Sequence, residues 1–346
     1  MNVLRIGALA LASTLVACGS EPKALPEGAV VKGVNFVGIA VADLDAATEF
    51  YQAGTDLEIV DEASVTGSSA LDTLARRTGV AVETRMLRTV NAQINLMSFA
   101  EPTEDWEAVP VQGPGIMHVC FQVDQNTQSY QKFLAAGGEF LGEEELVQLN
   151  PRNPVYYGYF EDLDGSIIEI EHVDIEALNL DSPPPHQYRM RHFAFTTPDV
   201  DRLAAFYSVL LEQPDPRRVG GRNGFASERV DAITGLKGST IRMAWFQVRN
   251  LELEITSLVS HPTTLPEPKR PVDAPGLNMV VFDVDDLDAA VELFQTAGGT
   301  IETDVEDFHG APTVFGRDPD GNIIGLQAAA TDAVVSSRNF SGNGTE

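Results

Sequence analysis

Few side chains in this 346-residue sequence are suited to covalent or metal chemistry. There are two cysteines and six histidines, and no serine or cysteine nucleophile motif. Cys18 closes the run Leu15-Val16-Ala17-Cys18, after a single positive charge within residues 1–5 and an apolar stretch at 6–16. That arrangement is a signal peptide with a lipobox, whose cysteine thiol takes up lipid. The apolar stretch is about half the roughly 20 residues that span a bilayer. Residues 1–18 are therefore read as a lipoprotein signal with Cys18 as the lipidated residue. Gly19 stands where a retention aspartate would otherwise be, which favours the periplasmic side of the outer membrane in a Gram-negative cell. Cys120 then remains as the one other thiol, so no intrachain disulfide can form.

The remaining chemistry-bearing residues lie in segments that alternate like strands with one buried face. Met117, Val119, Phe121 and Val123 are expected on a helix-packed face, with Ile116, His118, Cys120 and Gln122 on the other. Leu251, Leu253 and Ile255 likewise oppose Glu252, Glu254 and Thr256, and Ile168 and Ile170 oppose Ile167, Glu169 and Glu171. A glutamate on an inner sheet face is costly unless it is coordinated or paired, for instance with an arginine such as Arg242. The glycine-rich stretch 220–224 lacks the strand-turn-helix setting of a phosphate loop and reads as a loop or lid. His309 and Arg317 could reach a cup but read as surface residues.

Four copies of one pattern must position these residues. Residues 33–41 run into Asp43-Leu44-Asp45 and a helical stretch at 46–52; residues 190–197 run into Asp199-Val200-Asp201 and a stretch at 202–211. Two further copies begin at Pro114 and Pro275 and enter helices ending in Ala-Gly-Gly at 136–138 and 297–299. The aspartate after each strand suits a helix N-cap and the glycines a C-terminus. Copies two and four end in the turns Asp162-Leu163-Asp164-Gly165 and Asp318-Pro319-Asp320-Gly321 before strand-like residues at 167–170 and 323–326. The order is strand, helix, three strands, repeated four times, which makes an α+β fold. Residues 19–30 read as a flexible tether and 330–346 as a disordered tail. A net charge of -28, from 51 acidic against 23 basic residues, excludes nucleic acid as a partner.

The small polar or histidine position inside the first strand, the Asp-Leu-Asp or Asp-Val-Asp helix start, the pairs Phe50-Tyr51 and Phe206-Tyr207, and the Asp-Gly turn form a specific set. The set resembles the vicinal oxygen chelate (glyoxalase/bleomycin resistance/extradiol dioxygenase) superfamily, in a double-length, four-module form spanning about residues 31–327. The resemblance implies four βαβββ modules forming two cupped mixed β-sheets flanked by helices, with two-module domains at 31–176 and 188–329. It also implies one ligand position in the first strand and one in the last strand of each module. These fall on Phe36 and Asn95, His118 and Glu169, His192 and Glu254, and Met279 and Gly325.

Imidazole and carboxylate suit Zn, Ni, Mn or Fe, and the set alone does not choose among them. If neighbouring modules pair, each cup holds half a site. If the second pairs with the third and the first with the fourth, His118, Glu169, His192 and Glu254 gather in one cup, as in fused double-length glyoxalase I proteins. A complete set implies a metal-dependent lyase or isomerase acting on a small oxygenated molecule, with Glu169 or Glu254 as the catalytic base. Two alternatives stay open. One is a metal-free binding protein of the bleomycin-resistance type that holds a small apolar or aromatic molecule in one of its cups, a reading that Phe36, Met279 and Gly325 fit. The other is an extradiol-type dioxygenase using two histidines and one glutamate. An exported location weighs against glutathione or acyl-CoA conjugates as substrates.

Overall fold

The computed structural model describes residues 24–103, 105–151, 154–174, 177 and 186–345. Cys18 and the expected signal peptide lie outside the described residues.

The modules open with strands Val31–Ala40, Gly115–Asp124, Tyr188–Thr196 and Gly276–Val284. They close with Gln93–Phe99, Ile167–Val173, Leu251–Leu258 and Ile323–Gln327. Opening and closing strands of each module pair in parallel, a geometry that requires a crossover, here a helix. The aspartates do cap these helices. Asp43 and Asp199 each accept two backbone N–H bonds at the starts of Leu44–Gly54 and Val200–Leu210, and Asp286 accepts one at Leu287–Ala297. In the second module Asp124 caps a short 3-10 turn, Gln125–Thr127, and the helix Ser129–Ala135 follows it. The first and third modules also insert a second helix, Ser69–Ala75 and Glu228–Thr234, which the repeat pattern did not foretell. Each is closed in the same way, with Asp72 or Asp231 accepting two backbone N–H groups from the loop beyond it.

Sheets and helices join the modules differently. The second module's opening strand lies antiparallel to the third's, and the first's to the fourth's. Among the described residues this makes two mixed sheets, of nine strands from modules one and four and ten from modules two and three. The first and second modules, and the third and fourth, meet through their helices instead, with Phe50 against Phe133 (ring centroids 5.1 Å) and Phe206 against Phe294 (5.3 Å). Gly54 permits this approach, since a Cβ there would stand 2.3 Å from the Phe133 ring. The Phe-Tyr pairs and the Asp-Gly turns, separate signals in the sequence, touch one another: the Tyr51 hydroxyl donates to Asp162 Oδ2 (2.9 Å) and Tyr207 to Asp318 Oδ2 (3.1 Å). Helices and the backs of both sheets form one continuous core.

Four expectations are corrected. Pairing slips between His118 opposite Ala194 and Ile116 opposite Phe195. Met117 is thus the extra residue of a β-bulge; it turns to the cup, and Ile116 joins the helix-side core. Residues 330–345 are no loose tail. Val335 and Phe340 are buried, Ser337 N donates to Asn35 Oδ1 (2.8 Å), and Arg338 pairs with Asp283. The last residues of the tether are docked too, for Ala29 is buried and Val30 N donates to Glu212 Oε2 (2.9 Å). His309 and Arg317 are not at the surface. The turn after Glu306–Phe308 holds His309 at φ 52° and brings its ring against Phe36 inside the first-fourth cup, while Arg317 is buried on Glu302.

That cup is filled by its own side chains. Phe36, Met86, Met97, Met279, Val281 and Phe315 are all buried in one cluster. Among the described residues no helix is long and apolar enough to cross a membrane.

Candidate metal centre

The second-third sheet places its two histidines on adjacent strands at the middle of the cup. Antiparallel pairing sets His118 opposite Ala194 and His192 opposite Cys120, so the two imidazoles flank the local two-fold. In the parallel pairs Glu169 lies opposite Cys120 and Glu254 opposite Ala194, each two residues beyond its module's histidine. The period of two keeps all four side chains on one face.

Three of the four groups converge tightly. Ligand atoms of His118, Glu169 and His192 all lie within 4.8 Å of one another. His118 Nε2 and His192 Nε2 are 2.9 Å apart. Glu169 Oε2 lies 3.2 Å from the first and 2.9 Å from the second, yet it meets hydrogen-bond angles with neither. Glu254 stands at the edge of the group, with Oε2 3.4 Å from His192 Nε2 and Oε1 accepting the Thr256 hydroxyl at 2.5 Å. Donor atoms around one cation with bonds of about 2.0 to 2.2 Å stand roughly 3 to 3.5 Å apart, which matches this spacing. Two carboxylates with two neutral imidazoles also match a divalent cation in charge. The orphaned, buried Glu169 oxygen fits the same cation, since an uncompensated buried carboxylate is costly.

Burial alone would raise the Glu169 carboxyl, but the two imidazoles, which favour its ionised form, outweigh it and hold it far below the usual carboxylate range. Arg242 neutralises neither glutamate; it pairs with Asp201 and donates to the Gly221 carbonyl.

Each histidine is flanked by an aromatic ring, His118 by Tyr159 (5.1 Å between centroids) and His192 by Trp245 (4.9 Å). Tyr159 pairs across the strands with Glu169, and Trp245 with Glu254. A cavity of about 200 Å³ opens onto Glu169, His192 and Glu254, while His118 is fully buried beside it. Tyr159, Trp245 and Met117 were missed in the sequence, which placed Thr256 on the inner face without its bond to Glu254. Alternation opposite Glu169 and Glu254 could have found the two aromatics; the bulge hid Met117.

The equivalent positions in the other cup hold nothing comparable. Phe36 and Met279 are core residues, a Cβ at Gly325 would meet the Val281 and Phe315 side chains, and the Asn95 amide lies 2.9 Å from His309 Nε2.

The sequence profile of the Glyoxalase/Bleomycin resistance protein/Dioxygenase superfamily matches residues 33–170 and again 189–326. Among solved structures, glyoxalase I from Zea mays is similar with TM-score 0.59 at 14% identity, covering 86% of this chain and 92% of that one. A putative dioxygenase from Bacillus subtilis is similar with TM-score 0.55 at 11% identity, covering 87% of this chain and 86% of that one. At these identities the likeness is one of fold. No curated protein sequence matches the chain.

Proposed function

Since this chain belongs to the Glyoxalase/Bleomycin resistance protein/Dioxygenase superfamily, we propose that its second-third cup is a divalent-metal site serving a lyase or isomerase reaction on a small oxygenated molecule. The convergence of His118, Glu169 and His192 within 4.8 Å, with Glu254 beside them, carries the reading. His118, His192 and Glu169 would hold the metal, with Glu254 completing the set. A bound divalent cation would act as a Lewis acid on substrate oxygens and make the C–H at the neighbouring carbon more acidic. Glu169, with Oε2 3.2 Å from His118 Nε2 and 2.9 Å from His192 Nε2, is suited to permanent ligation. Glu254 is better placed to take a proton from substrate and return it, because it stands at the edge of the cluster, lines the cavity and has Thr256 to steady its other oxygen.

One observation favours a second reading. The tight group is two histidines and one carboxylate, the ligand set of non-haem iron oxygenases with open positions for substrate and oxygen. Metal identity and oxygen consumption separate the two readings: a redox-inactive metal with no oxygen uptake supports proton transfer.

The metal site itself is tested by metal content after purification and dialysis. The wild type should retain about one equivalent, and H118A and H192A should each abolish retention as completely as the other. Partial, independent losses would mean two half-sites in place of one centre. We further propose that the protein works outside the cytoplasm, tethered through Cys18; the lipobox carries this reading.

A further inference from the structure

The cavity beside the four candidate ligands has apolar walls and a nearly closed charge balance, from which we infer that it admits an uncharged molecule with a compact apolar body and rejects anions. The metal-site reading says where the ligand's oxygens go; the chemistry of its body follows from the walls. At about 200 Å³ the space is below the roughly 300–1,000 Å³ that takes drug-sized ligands. Met117, Val219, Phe225, Ile241, Met243 and Trp245 supply much of its lining.

The charged lining residues are Glu169, Glu254 and Arg191. The two glutamates would offset a divalent cation, so Arg191 is the group left to hold an anion, and it is already engaged. Its Nη1 donates to Glu171 Oε2 (2.7 Å), its Nη2 lies 3.6 Å from Glu252 Oε2, and its guanidinium stacks on Trp245 at 5.5 Å. Glu171 is held in place as well, accepting the Tyr157 hydroxyl at 3.2 Å. Arg217 also stacks on Trp245, at 4.7 Å, but does not line the cavity. Arg189, buried within electrostatic reach of Arg191, Glu171 and Glu252, completes the balance of charge behind the wall, and a carboxylate entering an apolar cavity would lose its hydration without gaining a free cation. Arg191 Nε has no hydrogen-bond partner among the described residues, which leaves one donor for a neutral carbonyl or hydroxyl oxygen.

The test compares benzohydroxamic acid, an aromatic chelator that is uncharged in solution and gives up its hydroxamate proton on binding metal, with 4-carboxybenzohydroxamic acid, which loses the same proton and carries one added charge on its body, binding to the whole chain loaded with Zn²⁺. The first should bind about tenfold tighter or more. E252Q removes one of the two partners of Arg191 and should narrow the ratio to about threefold or less. Equal or tighter binding of the carboxylated compound by the wild type overturns the inference, as does a ratio that E252Q leaves unchanged. Metal retention is scored separately. If the wild type holds no Zn²⁺, the metal-site reading fails on its own, and the charge preference is read with 2-naphthol and 2-naphthoate, which need no metal, by the same criteria.

Discussion

At the scale of single residues, Thr256 is the side chain that most directly governs how Glu254 behaves. Its hydroxyl donates to Glu254 Oε1 and leaves Oε2 facing His192. Partners of this kind orient a ligand, and their removal typically weakens metal binding about 10- to 100-fold. T256A should therefore lower metal affinity in a competition with a chelator, and T256S should restore it. Equal affinities for all three proteins would show that Glu254 is not held by this bond in the loaded site. The alternation of the closing strand puts Thr256 on the inner face beside Glu254, but the sequence cannot report that the two side chains bond to each other.

At the scale of elements, the helices and turns carry a pH dependence of their own. Burial pushes the Asp162 and Asp318 carboxyls up from 3.8 to about 6, against backbone and side-chain hydrogen bonds, including those from Tyr51 and Tyr207, that favour the ionised form. A raised value means that the native state holds the proton more tightly than the unfolded chain. The stability from this source is fully present below about 3.8 and is lost as pH climbs through about 6. Each group contributes on the order of 2–3 kcal/mol over that window. In urea titrations between pH 4 and 7, D162N should decline less steeply with rising pH than the wild type. Parallel slopes would mean that Asp162 does not titrate in that range.

At the scale of the whole molecule, two patterns of association are superimposed. The first and second modules, and the third and fourth, are joined through helices and Tyr–Asp contacts, while sheets are shared between the second and third modules and between the first and fourth. The closing segment ties the two sheets together, for Arg249 of the third module donates to the carbonyls of Ser337 and Phe340, and Arg338 pairs with Asp283 of the fourth. The amino-terminal anchor is a separate matter, tested by fractionation: C18S should move the protein from the membrane fraction to the soluble exported pool, and unchanged fractionation would remove the anchor. Much of the rest was legible in the sequence, because module order, helix caps, the aspartate turns and the inward faces of His118, Glu169, His192 and Glu254 are set by local periodicity and capping chemistry. Local pattern reaches no further than a turn or a strand pair. Which modules share a sheet, the Met117 bulge that reverses two side chains, the inward turn of the His309 ring onto Phe36 and the docking of residues 330–345 all depend on contacts between residues far apart in the chain. Only the tertiary structure could decide that the two histidine-bearing strands lie side by side, because strand pairing across modules is fixed by the packing of a common core and not by the sequence of either strand.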